Sequence, residues 1–119
     1  HRPDRVPQGP HQDLKGRITL GRESQRLETL VNELKDKGVK KMIFDMSGVT
    51  YVDSAGLGIL TYAYATMKKA NAELRLAGLQ ERVQELLKFT HLDTILPVDA
   101  SLADSARTLA SGQAATSPN

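Results

Sequence analysis

The segment that most constrains the fold is residues 41–47, KMIFDMS, an apolar run set between Gly38 and Gly48. Met42, Ile43, Phe44 and Met46 do not keep to alternate positions. A strand with one wet face alternates, whereas a strand covered on both faces, as in parallel sheets, need not. Parallel neighbours require crossovers, usually helices. The flanking segments read accordingly. Leu27, Leu30, Val31 and Leu34 fall at i, i+3, i+4 and i+7, one stripe of an amphipathic helix that Gly38 would stop. After residue 53, Leu57, Leu60, Tyr64 and Met67 share a helical face, with Ala63 and Ala70 beside them.

The same alternation of periods runs through the rest of the chain. LKGRITL (14–20) predicts a half-buried strand with Ile18 and Leu20 on one face, punctuated by Gly21. AELRLAG (72–78) predicts another, with Leu74 and Leu76 inward. Val83, Leu86 and Leu87 mark a third helix from near Gln80. TILPV (94–98) reads as a last short strand, which Pro97 confines to an edge or a strand end. SLADSARTLA (101–110) reads as a final helix opened by a capping box of Ser101 and Asp104. The expected class is α/β, a single domain with a small, mainly parallel sheet. Residues 1–12, with three prolines, are expected as an arm or linker, 13–110 as the domain and 111–119 as a fraying tail.

Composition excludes several functions. There is no cysteine, hence no disulfide and no thiolate–zinc site. A formal net charge of +2 with five scattered aromatics gives no basic, base-stacking face for direct nucleic-acid binding. No apolar run approaches the roughly 20 residues that span a bilayer. The first residues lack the apolar stretch of a secretory signal, so a cytoplasmic location is expected. The chain opens on His1 rather than Met, which suggests a missing upstream part.

The candidate site lies in VTYVDSAGLGIL (49–60), where strand gives way to helix. Ser54 has three readings. As a cap, Asp53 or Ser54 accepts hydrogen bonds from the first-turn amides. That needs only one of them, and leaves Gly56 and Gly58 unexplained, because helical glycine costs about 1 kcal/mol against alanine. Two glycines there suggest that a backbone passes close by. As a nucleophile, Ser54 lacks the Gly-x-Ser-x-Gly elbow, since Val52 stands two residues before it. A triad also needs a histidine base, and the only one in the ordered region is His91, beside Asp93, which reads more simply as a helix-end group. As a phosphoacceptor, an exposed serine at a helix N-terminus sits where negative charge is tolerated. No metal-binding spacing and no complete nucleotide-binding glycine motif is present.

The linked segment MIFDMSGVTYVDSAGLGIL resembles the central motif of STAS domains, the bacterial anti-sigma factor antagonists. LKGRITL before it and ANAELRLAGLQERVQELLKFTHLDTILPV after it fit as well, so the resemblance covers roughly residues 13–110. It implies a small sheet with about four helices mainly on one face. It implies that Ser54 is phosphorylated by an anti-sigma factor that is itself a GHKL-type serine kinase, and that a serine phosphatase resets it. The unphosphorylated protein would bind that kinase and free the sigma factor, with ATP used by the partner and no cofactor or enzymatic activity in this chain. Asp53, Gly56, Leu57, Tyr51, Val52, Gly21, Arg22 and Glu23 are the partner-binding neighbours it implies. An alternative is a STAS scaffold, as a subunit of a stress-signalling assembly or of a membrane lipid-transport complex. One departure stands out: the family begins with an extra apolar strand that residues 1–12 cannot supply in normal form. A bare edge left by its loss would invite a homodimer.

Overall fold

The computed structural model describes residues 11–111 of the 119. Strand β1 (His11–Ile18) leads through helix α1 (Arg22–Asp36) to β2 (Lys41–Val52), then α2 (Ser54–Lys69) and β3 (Glu73–Ala77). Helix α3 (Glu81–Phe89), a 3-10 turn (Leu92–Thr94), β4 (Val98–Asp99) and α4 (Leu102–Ser111) complete it. The four strands are parallel in the order β1-β2-β3-β4. With one direction for all strands, their C-terminal ends form one rim, and α1, α2 and α3 begin along it.

β2 is covered on both faces, as its sequence requires. Met42, Phe44 and Met46 enter the main core with Leu27, Val31 and Leu34 of α1, Leu60 and Met67 of α2, and Val83 and Leu87 of α3. Ile43 turns the other way, joining Ala77 of β3 and Leu109 of α4 in a small second cluster. Three helices therefore pack on one face and α4 on the other. The register explains how β2 keeps feeding the main core over so long a strand. Asp13 pairs with Asp45 but Lys15 with Gly48, and Gly16 pairs with Val49 but Arg17 with Tyr51. At each shift β2 takes one residue more than β1, as at a bulge. Inward positions thus step from Met46 to Val49 to Val52, three at a time. The second shift also brings the β2 end level with Ile18, where the site is built.

Several sequence expectations are corrected. β1 begins at His11, so the arm does not extend to residue 12, while residues 1–10 and 112–119 lie outside the described residues. Leu20 is not an inward strand residue: β1 ends at Ile18, and Leu20 stands 78% exposed. TILPV is not a strand. Its first residue closes the 3-10 turn, Leu96 drops into the core, and the ladder holds only Val98 and Asp99, on the edge that Pro97 foretold. At α4, Ser101 Oγ accepts from the Asp104 amide at 3.1 Å, but the Asp104 carboxylate pairs with Arg107 instead of closing the box. Ser111 belongs to α4 rather than to the tail.

Candidate functional site at the start of helix α2

The cap of α2 is Asp53, in extended geometry (φ −98°, ψ −174°). Its Oδ1 accepts from the Gly56 amide at 2.8 Å, and its Oδ2 accepts from the Leu20 amide at 3.0 Å. One carboxylate thereby satisfies the first turn of α2 and fastens the β1–α1 loop to it. The Asp53 amide donates to the Ile18 carbonyl at 3.2 Å, closing the joint from the other side. Hydrogen bonds from the Gly56 amide and then the Leu20 amide hold the Asp53 carboxyl below its ordinary range, so it stays ionised.

Gly56 is where a backbone passes close. A Cβ there would lie 2.3 Å from the Ile18 carbonyl oxygen and 2.7 Å from Val52 Cγ1. Gly58 has no such reason, since a Cβ at that position meets nothing within 4 Å. The close-approach reading holds for the first glycine and fails for the second within this chain.

Ser54 is the first residue of α2 and exposed. The capping acceptor is the Asp53 carboxylate, and no hydrogen bond engages the Ser54 hydroxyl among the described residues. The cap and acceptor readings, open in the sequence, separate here: Asp53 caps and Ser54 stands free. A nucleophile reading gains no support, since no bond joins Ser54 to a base. His91 sits exposed just past α3 in a left-handed conformation (φ 63°), its amide donating to the Lys88 carbonyl at 3.1 Å, so it closes the helix end through its backbone and not through its side chain.

The sequence-predicted neighbours divide into two groups. Gly21 (φ 113°) turns the chain into α1, and Arg22 and Glu23 follow it, exposed on the same rim as Ser54. Val52 and Leu57 are buried and Gly56 lies beneath the Ile18 carbonyl, so these three shape the rim from within and present no side chain to a partner. Tyr51 is half-buried, and the Arg17 guanidinium lies 4.3 Å from its ring centroid. Leu20 was missed as a surface group. Its only signal was its place before Gly21, where the strand could already have ended.

The family model of the STAS domain matches residues 13–105. The chain belongs to the STAS domain family. Anti-sigma-B factor antagonists are among its relatives: that of Listeria monocytogenes is 35% identical over 54 residues, 45% of this chain and 47% of the relative. The one from Staphylococcus aureus is 25% identical over 73 residues, 61% of this chain and 68% of the relative. The match to the Listeria protein thus spans about half of that relative's length. The STAS fold is shared with unphosphorylated SpoIIAA, an anti-sigma factor antagonist (TM-score 0.65, 13% identity, 86% of this chain and 88% of that one). It is shared equally with the STAS domain of a SulP transporter from Vibrio cholerae (TM-score 0.71, 15% identity, 90% and 84%). Among its described residues this STAS chain has four strands and four α-helices, and none of those helices is long and apolar enough to cross a membrane.

Proposed function

We propose that this STAS chain is an anti-sigma factor antagonist switched at Ser54. Unphosphorylated, it binds an anti-sigma factor that is a GHKL-type serine kinase and so releases a sigma factor in the cytoplasm. Phosphate on Ser54 ends that binding, and a serine phosphatase restores it. The chain acts as substrate and regulator rather than enzyme.

The observation that carries this reading is the division of labour between Asp53 and Ser54. The carboxylate holds the Gly56 and Leu20 amides, so the fold makes no use of the hydroxyl. A phosphate there adds about −1.5 to −2 charge beside an ionised Asp53 whose amides are already taken. The added charge therefore points outward, into any surface that docks on the rim of Leu20, Arg22, Glu23 and Ser54. Repulsion and desolvation then oppose docking while the core stays as it is. The relatives named as anti-sigma-B factor antagonists and a structure of the Bacillus cell fate determinant SpoIIAA in a phosphorylated form support the same reading.

The test is reconstitution with the host's anti-sigma kinase and ATP. Wild type should take phosphate at Ser54 and then leave the kinase. Ser54→Ala should bind it without turnover, and Ser54→Glu should bind at least tenfold more weakly. Equal binding of Ser54→Ala and Ser54→Glu, or phosphate placed on another residue, would remove the switch from Ser54.

A further inference from the structure

We infer, resting on Ser54 as the phosphoacceptor proposed above, that Gly58 controls access to it: the triphosphate of the partner's ATP reaches the serine over the bare second turn of α2. Gly58 is exposed in that turn, and a Cβ there would meet nothing within 4 Å among the described residues. Glycine within a helix is less stable than alanine, chiefly through the backbone entropy it loses on folding. No contact inside the chain offsets that cost at position 58.

Helix geometry shows what the missing side chain would do. Positions 57 and 58 neighbour Ser54 on the helix surface at i+3 and i+4, with β-carbons about 5–6 Å away. Leu57 is buried, so it does not cover the serine. A side chain at 58 would be exposed. Because Cα–Cβ bonds tilt toward the helix N-terminus, it would lean over the turn that carries Ser54. Glycine leaves that flank of the hydroxyl clear.

The opposite flank is closed to an anion. There the ionised Asp53 holds the Leu20 amide at 3.0 Å, and the Leu20 side chain stands 78% exposed beside it. Arg22 and Glu23, both exposed, follow in the same loop and offset one another in charge. A triphosphate coming from that side meets the Asp53 charge and the bulk of Leu20. Helix α2, in contrast, has no Asp or Glu from Ser54 to Lys69, and its charged residues are Lys68 and Lys69 in the last turn. The clear flank and the acid-free helix lie on the same side of the serine.

Phosphoryl transfer makes that side matter. The Ser54 Oγ–phosphorus bond forms as the bond from the γ-phosphorus to the β,γ-bridging oxygen breaks. ADP leaves with that electron pair, and the hydroxyl proton passes to a base on the partner. Attacking and leaving oxygens stand roughly in line, so the rest of the nucleotide extends away from Ser54 in one direction. A serine fixed in the first turn of a helix cannot turn to meet it, and the direction left clear runs over Gly58.

The experiment follows phosphorylation of the full 119-residue chain by the host's anti-sigma kinase with labelled ATP, and binding to the same kinase without nucleotide. The variants are Gly58→Ala, Gly58→Gln and Gly58→Glu, with melting curves to check that each folds at least as stably as wild type. The kcat/KM for phosphorylation should fall in that order. Gly58→Gln should lie about tenfold or more below wild type, and Gly58→Glu, of the same size but charged, about threefold below Gly58→Gln. Nucleotide-free binding should change by less than about threefold, because what the side chain obstructs is the donor. A wild-type rate in Gly58→Gln would overturn the assignment. So would an equal loss in nucleotide-free binding, which would set the partner's protein surface over Gly58, or equal rates for Gly58→Glu and Gly58→Gln, which would remove the triphosphate from that path. Phosphate on another residue of wild type would instead remove Ser54 as the acceptor, and the role of Gly58 with it.

Discussion

Gly56 and Gly58 stand two residues apart on one helix, and within this chain only the first has a reason to lack a side chain. Alanine at 56 would drive a methyl group to 2.3 Å from the Ile18 carbonyl oxygen, a backbone atom that cannot swing away. Gly56→Ala should therefore cost about 1–3 kcal/mol, read as a lower urea midpoint with an unchanged slope. Alanine at 58 meets open space, so Gly58→Ala should stabilise by about 0.5–1 kcal/mol. A destabilised Gly58→Ala would mean that the fold uses that glycine after all. Asp53 makes its prediction through pH. Its carboxyl titrates below the ordinary value, held there first by the Gly56 amide and then by the Leu20 amide. A lowered folded-state pKa adds stability that is complete above the unfolded value and is lost as pH falls through the folded one. The advantage of wild type over Asp53→Ala should thus be constant from neutrality to about pH 4 and shrink below it. An advantage that already fades near pH 6 would point to another group.

At the scale of the element, α4 is the informative case, being the one described helix on its face of the sheet. Its apolar contact is small, Leu109 against Ile43 and Ala77 with Leu102 and Ala106 beside them. Polar bonds supplement it. Ser105, fully buried, donates to Asp99 Oδ2 at 2.6 Å, and Asp99 accepts two bonds from the Arg75 guanidinium. Burial pushes the Asp99 carboxyl up, but the Arg75 and Ser105 hydrogen bonds outweigh it and bring it below the ordinary range. The pair is only 14% exposed on either side, so removing one member strands the other. Asp99→Ala should cost about 2–3 kcal/mol, with hydrogen exchange quickening first in α4. Equal quickening across α1 and α2 would show instead that α4 unfolds only with the whole domain.

For the whole molecule, the expectation is that fold and switch are separable. Ser54 makes no bond that the fold uses, so Ser54→Ala and Ser54→Glu should melt within about 0.5 kcal/mol of wild type while differing in partner binding. A large loss of stability in Ser54→Ala would return the serine to a capping role. The class of fold was already present in local pattern. The unbroken apolar run at 42–44, set between glycines, fits a strand with two covered faces, and the 3.6-residue stripes on either side fit helices packed against it, as the two apolar clusters then show. The motif likewise pointed to what the folded chain makes the β2–α2 joint as the candidate site. What it left open were choices with equal local cost. Asp53 and Ser54 are both good caps, and the decision fell to Asp53 because its second oxygen also reaches the Leu20 amide, which only the folded chain brings near. Leu20 alternates as an inward residue should, yet the extra β2 residues carry its end level with Ile18, finish the strand there and leave Leu20 in solvent. Periodicity along a chain records how each segment prefers to bury itself. Register, strand ends and the choice between neighbouring caps depend on atoms more than thirty residues away, and those are settled only when the sheet assembles.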